Sequence, residues 1–393
     1  MKLAWIAAAL LAVPLMARTL MNKPSAVTPG KSGSDYWVYV GTAAYNDSPT
    51  NSLYFCRFNS STGALDVVGV AVETVNPGFL AVNPTQQYLY AVNEIGEYQG
   101  QKNGAVSAFQ IDSQSGKLTF LSQVPALGAN PSFATVSKNG KFVLFASYYG
   151  GVVARPIRAD GSLGDPTASL QVGVSADGPH QENSHPHAVI LSPDNRFAIV
   201  PDLGLDRVLV FRFDEITGSL VPNDPPFWQS TEGSGPRHVA FGPNASFAYA
   251  INEMQSSLSI LSFAVRTGAF QHIQTVSTLP ANFKDANTGA EVKVGPSGAF
   301  VYASNRGHNS IAVFAIDKKQ GTLTLVQDVL TEGKTPRNFA IDPSGNFLLV
   351  GNQDSNEIVE FRIDPRTGRL APTGQKAQVP YPVCIVFVRR REM

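Results

Sequence analysis

PRNFAIDPSGNFLLVGNQDSNEIVEFRIDPRTGRL, residues 336–370, holds in one stretch the pattern that organises the chain. A nearly continuous apolar run (NFAI) meets a turn of Asp, Pro, Ser and Gly, and a second apolar run (FLLVGN) follows it. An alternating strand (IVEFRI) then ends at a Gly-x-Leu turn. Pro/Ser/Gly clusters of this kind are β-turn chemistry, and a strand apolar on both faces suits burial between neighbours. The closing glycine recurs as Gly63, Gly116, Gly161, Gly218, Gly268, Gly321 and Gly368, a period of about fifty residues that marks a β-propeller.

Counting strands predicts an all-β fold, a seven-bladed β-propeller with four strands in each blade. Asp35–Thr42 reads as a second strand with no first strand before it, and Tyr381–Val388 as a first strand with nothing after it. The two chain ends therefore complete one blade together, which hides the sheet edges a ring would otherwise expose. Residues 35–393 form this single domain.

Residues 1–34 have a different character. Lys2, the apolar run Leu3–Met16 and then Ala17 read as an export signal over residues 1–17. A Pro/Ser/Gly-containing linker follows over residues 18–34. The apolar run is too short for a transmembrane helix, so the expected location is periplasmic or secreted, with no stable membrane insertion after processing. The formal net charge is zero and no basic run reaches five residues, which disfavours nucleic acid as a partner. Cys56 and Cys384 are expected on strands two apart in one blade, roughly 9–10 Å from each other. That is beyond disulfide reach, so both should pack as small hydrophobes.

Aligned on the hairpin turns Pro84, Lys138, Pro193, Pro243, Pro296 and Pro343, the repeats disagree at one end. Six residues before each turn stand Gly78, Ser132, His187, Arg237, Ala290 and Arg337, with Val383 in the closing strand. The next position holds Phe79, Phe133, Ala188, His238, Glu291, Asn338 and Cys384. Nine residues after each turn runs a ladder of Asn93, Ser147, Asp202, Asn252, Asn305 and Asn352, followed by Glu94, Tyr148, Leu203, Glu253, Arg306 and Gln353. Antiparallel pairing brings all four sets to one end of the hairpins. The ladder recurs everywhere, so it reads as strand-end capping. His187, Arg237, Glu253, Glu291, Arg306 and Arg337 occupy only some blades, and they point to a site for an anionic or carbonyl-bearing ligand at a channel mouth.

DGPHQENSHPH, residues 177–187, adds His180 and His185 to His187. In an extended chain His185 and His187 face opposite ways, which argues against shared metal ligation. Oxygen donors from Glu, Asn and Asp leave a calcium ion open, but the expected site carries no metal and no cofactor. No phosphate loop, nucleophile elbow or HExxH pattern occurs.

The runs HPHAVILSPDNRFAIVPDLGLDRVLVFRFD, GSGPRHVAFGPNASFAYAINE, GPSGAFVYASNRGHNSIAVFAID and PRNFAIDPSGNFLLVGNQDSN resemble the seven-bladed propeller lactonases. That family includes cycloisomerase-type 6-phosphogluconolactonases and fungal 3-carboxy-cis,cis-muconate lactonising enzymes. The resemblance implies a metal-independent site in which the His of HPH, the Arg of GPRH, the Glu of NE and the Arg of SNRG act on substrate. Those residues are His187, Arg237, Glu253 and Arg306. Two departures stand out: members often carry NPCHV where this chain has NPSFA with Phe133, and Lys293 stands where many have His or Arg.

The expected activity is opening of a sugar-type or organic-acid lactone. Glu253 or His187 would be the general base, and Arg237 and Arg306 would stabilise the oxyanion. His185, His238, Glu291, Lys293 and Arg337 would bind substrate. A muconate-type cycloisomerase and a non-enzymatic binding module are the alternatives.

Overall fold

The computed structural model describes residues 35–45, 48–171 and 184–391. The expected export signal, the linker and His180 lie outside the described residues. Among those described, the strands form seven sheets of four strands each, and no helix is long and apolar enough to cross a membrane. Blades 1–6 begin in chain order at Pro77, Ala129, Ile190, Pro236, Thr288 and Pro336. Blade 7 combines Pro382–Arg389 with Asp35–Thr42, Ser52–Asn59 and Leu65–Glu73, in that order. Val38 pairs with Phe387 on one side and Cys56 on the other, so both chain ends share one register.

The recurring glycines lock blade to blade. Gly368 has φ +72°, a left-handed conformation that disfavours other residues, and a Cβ there would stand 2.4 Å from the Phe300 ring of blade 5. Each seam repeats the device. Phe142, Phe197, Phe247 and Phe347 meet Gly218, Gly268, Gly321 and Gly63 of the following blade, while Tyr88 meets Gly161 and Trp37 and Phe55 meet Gly116. Three buried tyrosines add a hydrogen bond across the same seams, Tyr39, Tyr90 and Tyr302 donating to the carbonyls of Gly116, Gly161 and Gly368 at 2.9–3.1 Å. Burying each large aromatic side chain stabilises by roughly 1.5–3 kcal/mol. A turn glycine is thus demanded by both backbone angle and neighbour, which is why it is the clearest sequence marker.

Cys56 and Cys384 are buried and unpaired, with the strand Asp35–Thr42 between theirs. They join separate apolar clusters on the two faces of blade 7, as small hydrophobes do.

The inner hairpins share a feature that pattern reading missed. Pairing slips at Gly78, Ser132, Arg237 and Arg337, each directly after a proline, and at Ala290–Glu291 and Val383. In blade 3, Pro186 makes an isolated bridge to Asp202, and regular pairing resumes only at Ile190. These are β-bulges, which bend a strand and re-aim a side chain. The position where the repeats disagree is therefore the one the ladder leaves unpaired.

Candidate active site

The Asn/Asp ladder serves the backbone. Asn305 and Asn352 donate to the carbonyls of Thr278 and Thr331 at 2.7 and 3.1 Å. Asp202 accepts from the amides of His185, Gly204 and Leu205 at 2.8–3.0 Å. These contacts hold the loops that follow the second strands.

Beside the ladder, Glu253 of blade 4 binds two arginines through one oxygen. Its Oε2 lies 2.9 Å from Arg237 Nε and 2.9 Å from Arg306 Nη2. The Arg237 contact is an ion pair without hydrogen-bond alignment. Arg237 is 2% exposed and reaches across the blade 4–5 seam, where Nη1 donates to the Ala290 carbonyl at 2.6 Å. Arg306 donates to the Gly289 carbonyl at 3.0 Å. Burial alone would raise the Glu253 pKa, but Arg306 and Arg237 outweigh it and hold the carboxyl below its usual range. Burial and the neighbouring Arg306 and Arg337 lower Arg237 to about 9, so it remains a cation at neutral pH.

One residue deeper lies a second layer. Phe79 stacks on Phe133 at 4.1 Å, and both present edges to His238 at 6.1 and 5.1 Å. Blades 1, 2 and 4 are not consecutive, so these rings meet across the axis. Phe133, the departure from the relatives' histidine, is thus part of an apolar floor. His238 Nδ1 faces Glu291 Oε1 at 3.1 Å and its Nε2 faces Arg237 Nη1 at 3.4 Å. Those partners assign the proton to Nδ1 and the lone pair to Nε2. Burial outweighs Glu291 and keeps His238 neutral, while Glu291, against the cost of burial, is held as a carboxylate by Lys293 and His238. Asn338 also donates to Glu291.

His187 sits 5.2 Å from His238, ring to ring. Its Nδ1 is buried without a partner within the protein. Burial, then the charge of Arg237, holds its pKa well below the ordinary value. Ser132 fixes the backbone by donating to the His187 carbonyl at 2.9 Å.

Other expected site residues are more dispersed. Arg337 joins a separate pair, its Nη2 lying 3.6 Å from Glu94 Oε1. His185 stacks on Tyr148 at 4.4 Å and contacts the Tyr148 carbonyl. Lys293 approaches Glu291 at 3.7 Å but lies two residues nearer the turns, in a cavity lined by Val82, Ile341 and Phe387. The floor therefore separates Lys293 from the arginines. The repeat pattern assigns no role to Tyr45, Glu94, Phe79 or Tyr148. Its available signal was the proline seven residues before a turn, as in Pro77, Pro131, Pro236 and Pro336.

Comparison with known proteins agrees with this fold. The family model "Lactonase, 7-bladed beta-propeller" matches residues 37–387. A 6-phosphogluconolactonase of Bacillus subtilis is 35% identical over 358 residues, 90% of this chain and 99% of that one. Another from Formosa agariphila is 32% identical over 318 residues, covering 77% of this chain and 85% of that one. The structure of a periplasmic gluconolactonase from Pseudomonas aeruginosa superposes with TM-score 0.84 at 32% identity, covering 91% of this chain and 100% of that one. With its ring closed at blade 7 and matched over nearly its whole propeller, the chain belongs to the seven-bladed β-propeller lactonase family.

Proposed function

We propose that this chain hydrolyses a sugar-type or organic-acid lactone at the bulge-end mouth of the propeller, outside the cytosol. The observation that carries the reading is that His187, whose Nδ1 has no partner within the protein, lies 5.2 Å ring to ring from the His238 that contacts Arg237, which shares one carboxylate with Arg306. Of the two candidate bases, His187 fits better. Glu253 Oε2 is already engaged by two guanidiniums and serves to position them, whereas His187 Nδ1 has no partner within the protein.

Water attacks the lactone carbonyl while His187 takes its proton. The carbonyl π pair moves onto oxygen, and Arg237 and Arg306 stabilise the oxyanion. Collapse re-forms the carbonyl and breaks the ring C–O bond. The alkoxide receives the proton from His187, giving the hydroxy acid. His238 and Glu291 act through Arg237, whose Nη1 they orient. This chemistry needs neither metal nor cofactor.

The export reading rests on Lys2 and the apolar run to Met16, and a neighbouring fold described as periplasmic supports it. A pH-stat assay across plain, polyhydroxylated and phosphorylated lactones tests the chemistry. Acid release proportional to enzyme supports it, and no release from any lactone overturns it.

A further inference from the structure

The Arg337 pair differs from the other ion pairs at the bulge end. Glu94 Oε2 accepts the Tyr45 phenol at 2.8 Å, and the Arg337 guanidinium lies 4.8 Å from the Tyr45 ring centroid. The three residues come from blades 1, 7 and 6. Glu94 lies over Gly78, where a Cβ would stand 2.5 Å from Oε2. The bulge position that carries Arg in blades 4 and 6 thus carries nothing in blade 1, and the room goes to a carboxylate. Tyr45 is 56% exposed, a large aromatic surface no core contact requires.

At 3.6 Å the Glu94–Arg337 contact is too long for a hydrogen bond, so most of the acceptor sites of Glu94 and donors of Arg337 stay available. A carboxylate that accepts, a guanidinium that donates and an aromatic face are together the groups that recognise vicinal hydroxyls on a ring with apolar C–H faces. Charge points the same way. On the mouth side of the floor, Arg237, Arg306 and Arg337 face Glu253 and Glu94, three cations against two anions. One net positive charge suits a single developing oxyanion, whereas a phosphate dianion would sit against Glu94.

We propose that Tyr45, Glu94 and Arg337 form a subsite that reads the hydroxyls of a neutral, polyhydroxylated lactone and disfavours its phosphorylated form. This rests on the lactonase reading and deepens it by naming the substrate class and the residues that select it. Tyr45 carries the ring's C–H face, Glu94 accepts from its hydroxyls, and Arg337 donates to its oxygens.

The test is calorimetric binding of ring-nitrogen analogues that no hydrolysis consumes: a polyhydroxylated δ-lactam, its phosphorylated form and plain δ-valerolactam. The wild type should prefer the hydroxylated over the plain lactam by about ten- to hundredfold, the range of one or two charge-assisted hydrogen bonds. Glu94→Ala should abolish that preference while leaving plain-lactam binding unchanged, whereas Tyr45→Ala, which removes the platform under the C–H face both rings share, should weaken both lactams. Glu94→Gln should gain affinity for the phosphorylated lactam, and Gly78→Ala, which displaces the carboxylate, should resemble Glu94→Ala. No preference in the wild type, a Glu94→Ala that keeps it or loses both lactams equally, or a Tyr45→Ala that binds plain lactam as the wild type does, overturns the subsite. The lactonase reading is decided apart, by turnover. Selective binding without ring opening refutes the chemistry alone, and turnover with an unaltered preference in Glu94→Ala refutes the subsite alone.

Discussion

The two ends of the inner hairpins obey different rules. At the turn end, Asn83, Ser137, Ser192 and Asp342 each accept from the amide that opens the next strand, that of Tyr88, Phe142, Phe197 and Phe347. At the bulge end, equivalent positions hold Gly78, Ser132, His187, Arg237, Ala290, Arg337 and Val383. At the turn end the backbone gives one answer in all six hairpins, the residue before the turn donating its amide to the carbonyl that opens the next strand. Gly242 and Gly295 of blades 4 and 5 do so without the side-chain acceptor. A bulged residue escapes the ladder, so packing no longer dictates it. In a ring of like units, divergence at an unpaired position locates chemistry, and agreement locates structure.

The strongest challenge to the packing half is removal of residues 381–393. Without Pro382–Arg389, blade 7 loses its inner strand and the ring its closure. The truncated chain should show no cooperative melting transition, and a normal one would break the account of closure.

Next in size, Arg237→Ala should lower kcat on a cleaved lactone by about a hundredfold to a thousandfold, the usual effect of losing an oxyanion donor. Arg237→Lys should also be poor, because an ammonium cannot bridge Glu253, the Ala290 carbonyl and substrate as a guanidinium does. Steady-state kinetics with a melting curve for each variant check this.

Asn352→Ala belongs to the structural ladder. Losing its bond to the buried Thr331 carbonyl should cost about 1–3 kcal/mol of stability, measured by denaturant unfolding, with kcat nearly unchanged.

A smaller effect sharpens the same contrast from the packing side. Glu360 is fully buried under the Gly63 turn at the blade 6–7 seam, and neither carboxylate oxygen has a hydrogen-bond partner. Burial raises its pKa from the ordinary 4.5 to about 7. The folded state therefore binds the proton more tightly than the unfolded state. Stability from this group is full below pH 4.5 and is lost as pH rises through about 7. Glu360→Gln should raise Tm by a margin that grows from pH 5 to pH 8. An unchanging margin would show that the carboxyl does not titrate there.

The ring, its closure and the unpaired cysteines were legible because glycine conformation, turn chemistry and strand count are local signals. Arg237, Glu253 and Arg306 stood out as departures from the repeat, and the structure brings them within ion-pair distance. What stayed hidden depends on contacts across the axis or between distant loops. Phe79 read as an ordinary apolar strand residue, and Phe133 only as a departure from the relatives' histidine, until the fold stacked them on each other with their edges against His238. Glu94 and Tyr45 lie on blades 1 and 7, and nothing local ties either to Arg337. Lys293 sat in the right strand, yet two residues place it beyond the floor.

The central claim, that the divergent end performs the chemistry and the uniform ladder only supports it, is tested most directly by measuring kcat and Tm side by side for Glu253→Ala and Asn352→Ala on one cleaved lactone. The account predicts that Glu253→Ala still unfolds cooperatively but loses about a hundredfold or more in kcat, because Arg237 and Arg306 lose their shared anchor, while Asn352→Ala melts earlier and turns over normally. Full activity in Glu253→Ala, together with loss of activity in a well-folded Asn352→Ala, would contradict it.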